Sequence, residues 1–485
     1  MAAIGKDVFF ATIPELNARL KAKEFTAEDL ARAFADRLAQ LGPRYNALAL
    51  SLNQEAIRAA KDVDKELKRE RFRGPLQGIP YGVKDLLSYA GQPTTWGAKP
   101  YAGQVFDYNA TVIEKLSEAG AVLAGKLAMV ELAGGGGYRL PSASLTGPGL
   151  NPWDRTRWSG GSSSGSAAAV AAGLVPFAIG SETSGSIVTP AAFCGVTALR
   201  PTYGLVSRHG AMALSWTLDK LGPFARTAED CGLILQAIAG KDAKDPGSAG
   251  RNFYYTPQYA RPMKDLRVGY APVDYAEWAE PAARPTFDAA LAVLKAAGAQ
   301  MIETKFPQFP YGAALSTILA AEQASIFEPL IESGKVDELA DPAQIAGLRA
   351  SLEVPARDYL KAMRLRRLMQ PAIARLFGEV DVLVAPARTG PASKVDQPLD
   401  RGVGVGAPVR ATVGAQGPKD PGFRAIIPAG NLAGLPALVL PCGLAGGMPV
   451  ALQLVGAPFS ENTLLAMGRE FQSRTDWHKR RPPGL

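Results

Sequence analysis

Apolar positions follow a helical period in the first part of the chain. A capping box begins at Thr26, and the apolar residues behind it recur every three to four positions, which predicts an amphipathic helix to about residue 41. The same period over about residues 45–69 predicts a second helix. Residues 1–70 are therefore expected to form a segment of N-terminal helices.

From about residue 78 the pattern changes to short apolar runs separated by helical segments. Short apolar runs are typical of buried strands, and strands that alternate with helices predict a sheet with crossover helices. The predicted strands lie at 81–83, 122–124, 175–179, 267–270, 300–303, 380–385, 437–440 and 451–455, and the predicted helices at 111–119, 166–172, 227–240, 285–297, 310–378 and 462–474.

Residues 386–424 break this alternation. They are rich in glycine and proline and show no period, and a stretch of this length is too long for an idle connection in a compact domain. We expect a flexible loop beside a functional site there. Because no stretch resembles an interdomain linker, the sequence predicts one domain over 1–485, with its motif region at 75–240.

Composition and charge narrow the class of protein. The 485 residues are 47% hydrophobic and 20% charged, which is typical of a globular chain that buries a large core. The net charge of +8 is spread along the sequence, and its basic cluster is interpreted as the solvated face of a helix rather than a nucleic-acid site. The cluster comprises Arg357, Lys361, Arg364, Arg366 and Arg367.

The cysteines and the longest apolar run exclude further classes. Cys194, Cys231 and Cys442 show no C-x-x-C spacing, so they are expected to be buried thiols rather than zinc ligands or a disulfide framework. The N-terminus has no apolar signal segment, and the run at 167–179 is too short to span a bilayer. We expect a cytoplasmic protein that uses no metal and no cofactor.

Two serines 24 positions apart, Ser162 and Ser186, lie in segments dense in glycine and serine. A serine hydroxyl is a weak nucleophile until a base accepts its proton. The chain holds only two histidines, His209 and His478, and neither lies in a promising setting. A lysine is the alternative base because burial disfavours its charged form, and Lys84 follows an apolar run.

The loop 181–186 follows a predicted strand and is rich in small residues. Small residues let consecutive backbone N–H groups converge, and converging N–H groups stabilise an oxyanion. Ser186, at the end of this segment, is the expected nucleophile, with Ser181 and Ser184 as rivals from chemistry alone. A phosphate-binding loop is a weaker interpretation of 159–166, since the Gly-Lys-Ser/Thr ending of nucleotide loops is missing.

With these segments in place, the chain resembles the amidase signature family. The loop at 160–166, the alanine-rich helix after it and the loop at 182–187 are similar to the family's central pattern. Further matches on both sides extend the resemblance over nearly the whole chain. They lie at 78–85, 190–195, 200–204, 218–223, 434–436 and 449–453.

The resemblance implies an α/β fold: a single large domain whose mixed, twisted central sheet is covered by helices on both faces. It implies that Ser186 is the acyl-forming nucleophile, that Ser162, after a cis peptide bond, is the bridging serine, and that Lys84 is the terminal base. The implied oxyanion hole consists of the backbone N–H groups of Thr183, Ser184, Gly185 and Ser186.

Four positions depart from the family's pattern. Glu182 stands where aspartate is usual, and Ser164 and Ser184 replace glycines. A side chain at Ser184 restricts positive φ and so affects the oxyanion loop. Val188 replaces a family arginine, and without that charge we expect a more apolar site than in typical relatives.

These features favour a stand-alone hydrolase of apolar or aryl amides, with possible ester or carbamate cleavage. Aryl acylamidase and urethanase activities are the specific expectation. The resemblance places the loop 134–137 where relatives have residues near the substrate, and its consecutive glycines suggest space and mobility, so Gly134, Gly135 and Gly136 are taken as substrate-binding residues. Trp216 is added to them because it lies near the site motifs in sequence. The expected partner is a small-molecule amide, without nucleic acid or membrane, and the expected state is a monomer or homodimer.

Two alternatives stay open. One is the glutaminase subunit of a tRNA amidotransferase, which shares the fold and the triad but whose Phe-Ala-Met-Gly-Ser-Ser-Thr region is poorly matched by residues 132–137. The other is a non-catalytic binding protein on an amidase scaffold. The intact Lys84, Ser162 and Ser186 argue against this second alternative.

Overall fold

Strands and helices alternate through the computed structural model, which describes residues 4–399 and 421–485. The strands are β1 (Leu48–Ser51), β2 (Pro80–Lys84), β3 (Val122–Leu127), β4 (Leu150–Asn151), β5 (Asp154–Trp158), β6 (Phe177–Glu182), β7 (Thr197–Arg200), β8 (Lys220–Ala225), β9 (Arg267–Tyr270), β10 (Gln300–Glu303), β11 (Val382–Pro386), β12 (Ala437–Ala445) and β13 (Met448–Gly456). The helices are α1 (Ile13–Lys21), α2 (Ala27–Leu41), α3 (Asn53–Lys68), α4 (Thr111–Glu118), α5 (Ser164–Ala171), α6 (Val188–Cys194), α7 (Ala228–Ile238), α8 (Arg284–Ala296), α9 (Tyr311–Glu332), α10 (Pro342–Ser351), α11 (Ala356–Glu379), α12 (Ile426–Ala433) and α13 (Glu461–Ser473).

Eleven of the strands form one mixed sheet. Their order is β1-β3-β2-β6-β8-β7-β12-β13-β11-β9-β10, and β4 pairs with β5 separately. β2 runs parallel to β3 and β6, whereas β8 runs antiparallel to β6 and β7. The helices flank this sheet around a hydrophobic cluster that extends from Val8 to Phe471. The expected α/β fold with a mixed central sheet is confirmed.

The predicted long helices are confirmed, with shifted ends. α2 begins after Thr26, whose side chain accepts a hydrogen bond from the Asp29 N–H while the Asp29 carboxylate accepts one from the Thr26 N–H. The second helix is shorter than expected, because residues 42–51 form a 3-10 turn and the strand β1 before α3 begins at Asn53. The predicted helical region 310–378 contains three helices, α9, α10 and α11.

The pairing of β2 with β6 positions the serine and lysine motifs. The carboxyl ends of parallel strands meet at one edge of a sheet, where ligands of open α/β sheets bind. Lys84 is the last residue of β2, and Glu182 is the last residue of β6. The segment 183–186 leaves β6 at that edge, and α6 begins at Val188 immediately afterwards. This topology brings Lys84 towards both serine loops.

Three further expectations from the sequence concern the cysteines, membrane-spanning helices and metal ligands. Cys194, Cys231 and Cys442 are buried free thiols, as predicted. Within residues 4–399 and 421–485, no helix combines the length and apolar character needed to cross a membrane. Among the same residues, no group of three or more His, Cys, Asp or Glu side chains is arranged to hold a metal ion.

The expected flexible loop at 386–424 falls largely on residues 400–420, which lie outside the described residues. Its first part runs beside β5, where the Val395 N–H donates to the Thr156 carbonyl (3.0 Å). The division of 1–485 into a helical segment and a motif region within one domain stays a prediction.

Candidate active site

Lys84 is completely buried beside two serine hydroxyls. Its Nζ lies 2.6 Å from Ser162 Oγ and 2.9 Å from Ser181 Oγ. Burial lowers the pKa of Lys84 to about 7, although the negative charges of Asp219 and Glu182 oppose this shift. A lysine with that pKa is partly neutral at physiological pH, so its amine has a free lone pair and can accept a proton.

Ser162 lies in a hydrogen-bonded loop that leads into α5. The Gly161–Ser162 peptide bond is cis, as the family resemblance implies. The next residue fixes this loop to the end of β6, since Ser163 Oγ donates to the Ser181 carbonyl (3.1 Å) and accepts from the Ser181 N–H (3.2 Å). Two hydrogen bonds therefore hold the loop of Ser162 against the Ser181 end of β6.

Ser186 is 8% exposed and ends a loop of backbone donors. Its carbonyl accepts the Ser163 N–H (3.4 Å), which brings the second serine loop against the first. In the part of the chain that the structure describes, no acceptor takes the N–H groups of residues 183–186. The positive φ in this loop is at Gly185 (+81°) and not at Ser184, so the serine at 184 does not oppose the loop's conformation.

Glu182 holds the far end of this loop. Its Oε2 accepts the N–H groups of Ile187 (2.9 Å) and Val188 (3.0 Å), and its Oε1 accepts from Arg200 (2.8 Å) and from Asn431 Nδ2 (2.9 Å). Burial alone raises the pKa of this carboxyl, but the Arg200 guanidinium and the hydrogen bonds lower it to about 2. The charged carboxylate is thus a fixed anchor for the start of α6.

Asp219 anchors the other end of the loop. Thr183 Oγ1 donates to Asp219 (2.6 Å), and the same carboxylate accepts the N–H groups of Leu214 (2.8 Å) and Ser215 (2.9 Å). Burial raises the pKa of Asp219. A cavity of about 200 Å³ opens here, and its wall includes Ser181, Thr183 and Trp216, which is 43% exposed.

The glycine run does not provide the expected space. A Cβ on Gly135 would lie 3.0 Å from Leu214 Cδ1, and one on Gly136 would lie 2.3 Å from the Gln344 carbonyl. The Gly136 N–H also donates to Gln323 Oε1 (2.8 Å). These glycines permit close packing against α9 and α10, and Trp216 lies apart from them in the cavity wall.

Sequence reasoning missed the partners that fix the site. The substitution of glutamate for aspartate at 182 is visible in the sequence, but its partner Arg200 follows 18 positions later and Asn431 much later still. The sequence also suggests that Val188 removes a charge from beside the nucleophile. Its side chain is instead completely buried in the main hydrophobic cluster, so its identity does not report the polarity of the cavity.

The geometry of these loops agrees with a comparison against known proteins. A model of the Amidase family matches residues 29–465, and the chain belongs to this family. It is therefore an enzyme that acts on carbon–nitrogen amide bonds. The chain is 35% identical to the A subunit of glutamyl-tRNA(Gln) amidotransferase from Carboxydothermus hydrogenoformans, over 98% of this chain and 99% of the relative.

Solved structures give the same family. Peptide amidase from Stenotrophomonas maltophilia is 32% identical, with a TM-score of 0.82 and coverage of 98% of both chains. The A subunit of glutamyl-tRNA(Gln) amidotransferase from Thermotoga maritima is 27% identical, with a TM-score of 0.77, over 97% of this chain and 96% of the other. The resemblance to the amidase signature family is confirmed.

These relatives correct two expectations. The stand-alone hydrolase of apolar or aryl amides is wrong as the leading interpretation, because the curated relatives that cover nearly the full chain at 35–37% identity carry the name of an amidotransferase subunit. The same name contradicts a monomer or homodimer that meets only a small-molecule amide and no nucleic acid. The packed glycine run and the buried Val188 explain why the sequence evidence for an apolar site misled.

Proposed function

We propose that this chain hydrolyses the side-chain amide of glutamine, as the amidase subunit of a glutamyl-tRNA(Gln) amidotransferase. One observation carries the hydrolytic part: Lys84 Nζ is buried 2.6 Å from Ser162 Oγ, beside a loop of backbone donors that ends at Ser186. The names of the full-length relatives support glutamyl-tRNA amidation as the process that uses the released ammonia.

The first step in this proposal is formation of an acyl-enzyme. Neutral Lys84 accepts the proton of Ser162 while Ser162 accepts the proton of Ser186, and Ser186 Oγ bonds to the amide carbon. The carbonyl π electrons move to oxygen and form a tetrahedral oxyanion. In this proposal the N–H groups of residues 183–186, which no acceptor among the described residues takes, stabilise this charge, and removal of one such donor typically raises the barrier by about 3 kcal/mol.

The second step completes the hydrolysis. The carbon–nitrogen bond breaks as the proton held by the relay passes to the leaving nitrogen, and ammonia departs. A water molecule then attacks the ester carbon, giving its proton to the same relay, and Ser186 leaves as a hydroxyl with the acid as product. The Glu182 and Asp219 anchors keep the donors in place throughout, since both carboxylates bind the ends of the loop.

The test combines turnover with partner capture. We expect the full chain, expressed with the other subunits of the amidotransferase from its source, to co-purify with them and to release ammonia from glutamine. Ser186→Ala should abolish both ammonia release and labelling by a fluorophosphonate, because it removes the attacking oxygen. Ser184→Ala is the matched control, since it removes a hydroxyl from the same loop and should retain labelling.

Two results would contradict the proposal in different parts. If Ser186→Ala kept its activity, the nucleophile assignment would be wrong. If the chain never co-purified with partner subunits and left glutamine intact while cleaving other amides, the amidotransferase assignment would fail and the relay would stand.

A further inference from the structure

Lys220 is another buried lysine close to the oxyanion loop. It begins β8, is 2% exposed and donates from Nζ to the Leu218 carbonyl. In the pairing of β6 with β8 it lies directly opposite Glu182, and residues directly opposite each other share one face of a sheet. No carboxylate of residues 4–399 or 421–485 forms an ion pair with it. Because a buried ammonium is costly, its presence at this position requires an explanation.

Two carboxylates act on both Lys84 and Lys220. Burial lowers the pKa of each lysine, and the negative charges of Glu182 and Asp219 oppose this shift in both. Glu182 has a cation of its own, since Arg200 lies 2.8 Å from its Oε1. Asp219 has no ion-paired cation in the part of the chain that the structure describes. Its negative charge is therefore the one that a further cation must balance.

The surroundings of Asp219 favour the charged carboxylate. It accepts hydrogen bonds from Thr183 Oγ1 (2.6 Å) and from the N–H groups of Leu214 (2.8 Å) and Ser215 (2.9 Å). Burial raises the pKa of Asp219, and these three hydrogen bonds oppose the shift because they stabilise the anion. A carboxylate that is charged and buried so close to Lys84 would favour the protonated, inactive form of that lysine.

Lys220 is available to balance this charge. Lys220 and Arg208 both act electrostatically on Asp219, but Arg208 is already paired with Asp245 (2.7 Å). Lys220 has no ion-paired carboxylate, so its ammonium can offset Asp219 instead. Further charged or titratable groups near the two lysines are Arg366, the Asp85–Lys126 pair and, in the cavity wall, His209, Lys244 and Asp245.

We propose that Lys220 is a positioning residue whose ammonium balances the charge of Asp219 and thereby leaves Lys84 free to be neutral. The inference rests on the proposed function, in which Lys84 is the base of the relay. With Glu182 matched by Arg200 and Asp219 matched by Lys220, the four groups have no net charge. Without the ammonium at position 220, one negative charge faces Lys84, whose amine then keeps its proton to a higher pH.

The test is the pH dependence of fluorophosphonate labelling at Ser186, which needs the relay but no particular substrate. Lys220→Gln removes the charge and retains a donor for the Leu218 carbonyl. In the wild type, labelling should rise to a plateau with a midpoint near the Lys84 pKa of about 7. In Lys220→Gln we expect the midpoint to move about one pH unit to the alkaline side. Lys220→Met removes the same charge and replaces Lys220→Gln if that variant does not fold.

The shape of the profile separates an electrostatic role from a structural one. A shifted midpoint makes labelling about tenfold slower at acidic pH and leaves the plateau rate unchanged. A purely structural role of Lys220 would lower the rate by the same factor at every pH. That uniform loss would overturn the proposal, and so would a midpoint that is unchanged or more acidic.

Lys244→Gln is the matched control. Lys244 lies in the wall of the cavity that Asp219 also lines, but its side chain is 53% exposed and pairs with Glu114 (3.2 Å). Its removal changes the net charge by the same amount, and solvent screens an exposed charge, so we expect a midpoint within about 0.2 unit of the wild type. Equal shifts in Lys244→Gln and Lys220→Gln would overturn the assignment to Lys220.

A second substitution identifies the charge that Lys220 balances. Lys220→Gln/Asp219→Asn removes both charges and should return the midpoint to within about 0.3 unit of the wild type. Its plateau rate should be lower, because an asparagine side chain cannot accept all three of the Asp219 hydrogen bonds. A midpoint as alkaline as in Lys220→Gln alone would overturn the pairing of Lys220 with Asp219.

Lys84→Met separates this inference from the proposed function. Labelling should be lost in that variant at every pH, because the relay has no base. Labelling of Lys84→Met with the wild-type profile would refute Lys84 as the base, and the proposed relay would fail. A profile that depends on Lys84 but keeps its midpoint in Lys220→Gln would overturn the role of Lys220 alone.

Discussion

Two buried lysines on neighbouring strands have opposite kinds of partner. Lys126, in β3, has its Nζ 2.8 Å from Asp85 Oδ1 and donates to the Pro93 carbonyl (2.7 Å). Lys84, at the end of the adjacent β2, contacts the hydroxyls of Ser162 and Ser181 instead. Both lysine side chains are fully buried. They differ in their partners, because Lys126 is paired with a carboxylate and Lys84 contacts hydroxyls.

The difference shows how a fold makes one lysine structural and another a base. Burial lowers the pKa of both amines, but at Lys126 the Asp85 charge opposes this directly through an ion pair. At Lys84 no ion-paired carboxylate is present among the described residues, and the pKa falls to about 7. Asp85 is the neighbour of Lys84 in sequence, yet it neutralises Lys126.

Removal of each amine in turn is the strongest test of whether the two lysines have different roles. We expect Lys84→Met to lower kcat for ammonia release by about 10³-fold or more, because a proton relay fails as a unit when its terminal base is lost. Lys126→Met removes an equally buried amine and should leave the catalytic groups in place in whatever fraction stays folded. Equal loss of kcat per folded molecule in both variants would refute the distinction.

The free energy of unfolding should respond in the reverse order, with a larger loss in Lys126→Met than in Lys84→Met. Lys126→Met leaves the Asp85 carboxylate buried without its cation, which typically costs about 3–5 kcal/mol of unfolding free energy. Asp85→Asn added to Lys126→Met removes that charge and should recover a large part of the loss. Lys84→Met should not destabilise, since it deletes a desolvated amine. Urea midpoints of the four proteins provide the measurement, and a Lys126→Met midpoint equal to the wild type would contradict the ion-pair argument.

The pH dependence of kcat/KM tests whether Lys84 is the base. Its amine accepts a proton only when neutral, and burial lowers its pKa to about 7, so kcat/KM should rise about tenfold per unit below pH 7 and level off above it. His209→Gln is the control, because His209 lines the nearby cavity. A profile whose limb vanished in His209→Gln would assign the titration to the histidine.

Features that depend on neighbouring residues could be predicted from the sequence, whereas contacts between residues far apart in the chain could not. Long elements with a clear period, such as α2 and β13, were predictable because capping residues and apolar spacing are local signals. The strand β8 was missed because Gly222 and Pro223 interrupt its apolar run, although pairing with β6 and β7 holds it in the sheet.

Pairing between remote side chains explains the remaining omissions. The candidate roles of Lys84, Ser162 and Ser186 followed from dense motifs, each within a few residues. The ion pair of Arg200 with Glu182 and the hydrogen bond from Asn431 gave no such signal, because folding brings both partners to Glu182 from elsewhere in the chain. The role of a buried charged side chain is clear only when its partners are known, and partners are a property of the folded state.

The smallest expected effect concerns the second hydroxyl on Lys84. Ser181 Oγ lies 2.9 Å from Lys84 Nζ and belongs to β6, so it orients the amine without taking part in the proposed proton transfer. Loss of one neutral hydrogen bond costs about 1 kcal/mol, and we expect Ser181→Ala to lower kcat roughly fivefold.

Fluorophosphonate labelling decides what that fivefold loss means. Ser181→Ala should be labelled to the same final extent as the wild type and only more slowly, because Ser186 and the donors of residues 183–186 remain. A complete loss of labelling would make Ser181 the nucleophile, since both Ser181 and Ser162 are within hydrogen-bond distance of the one buried amine. Lys84 would then activate Ser181 directly, and the contrast with Lys126 would still hold, because it depends on the ion-paired carboxylate at Lys126 and not on which hydroxyl the Lys84 amine serves.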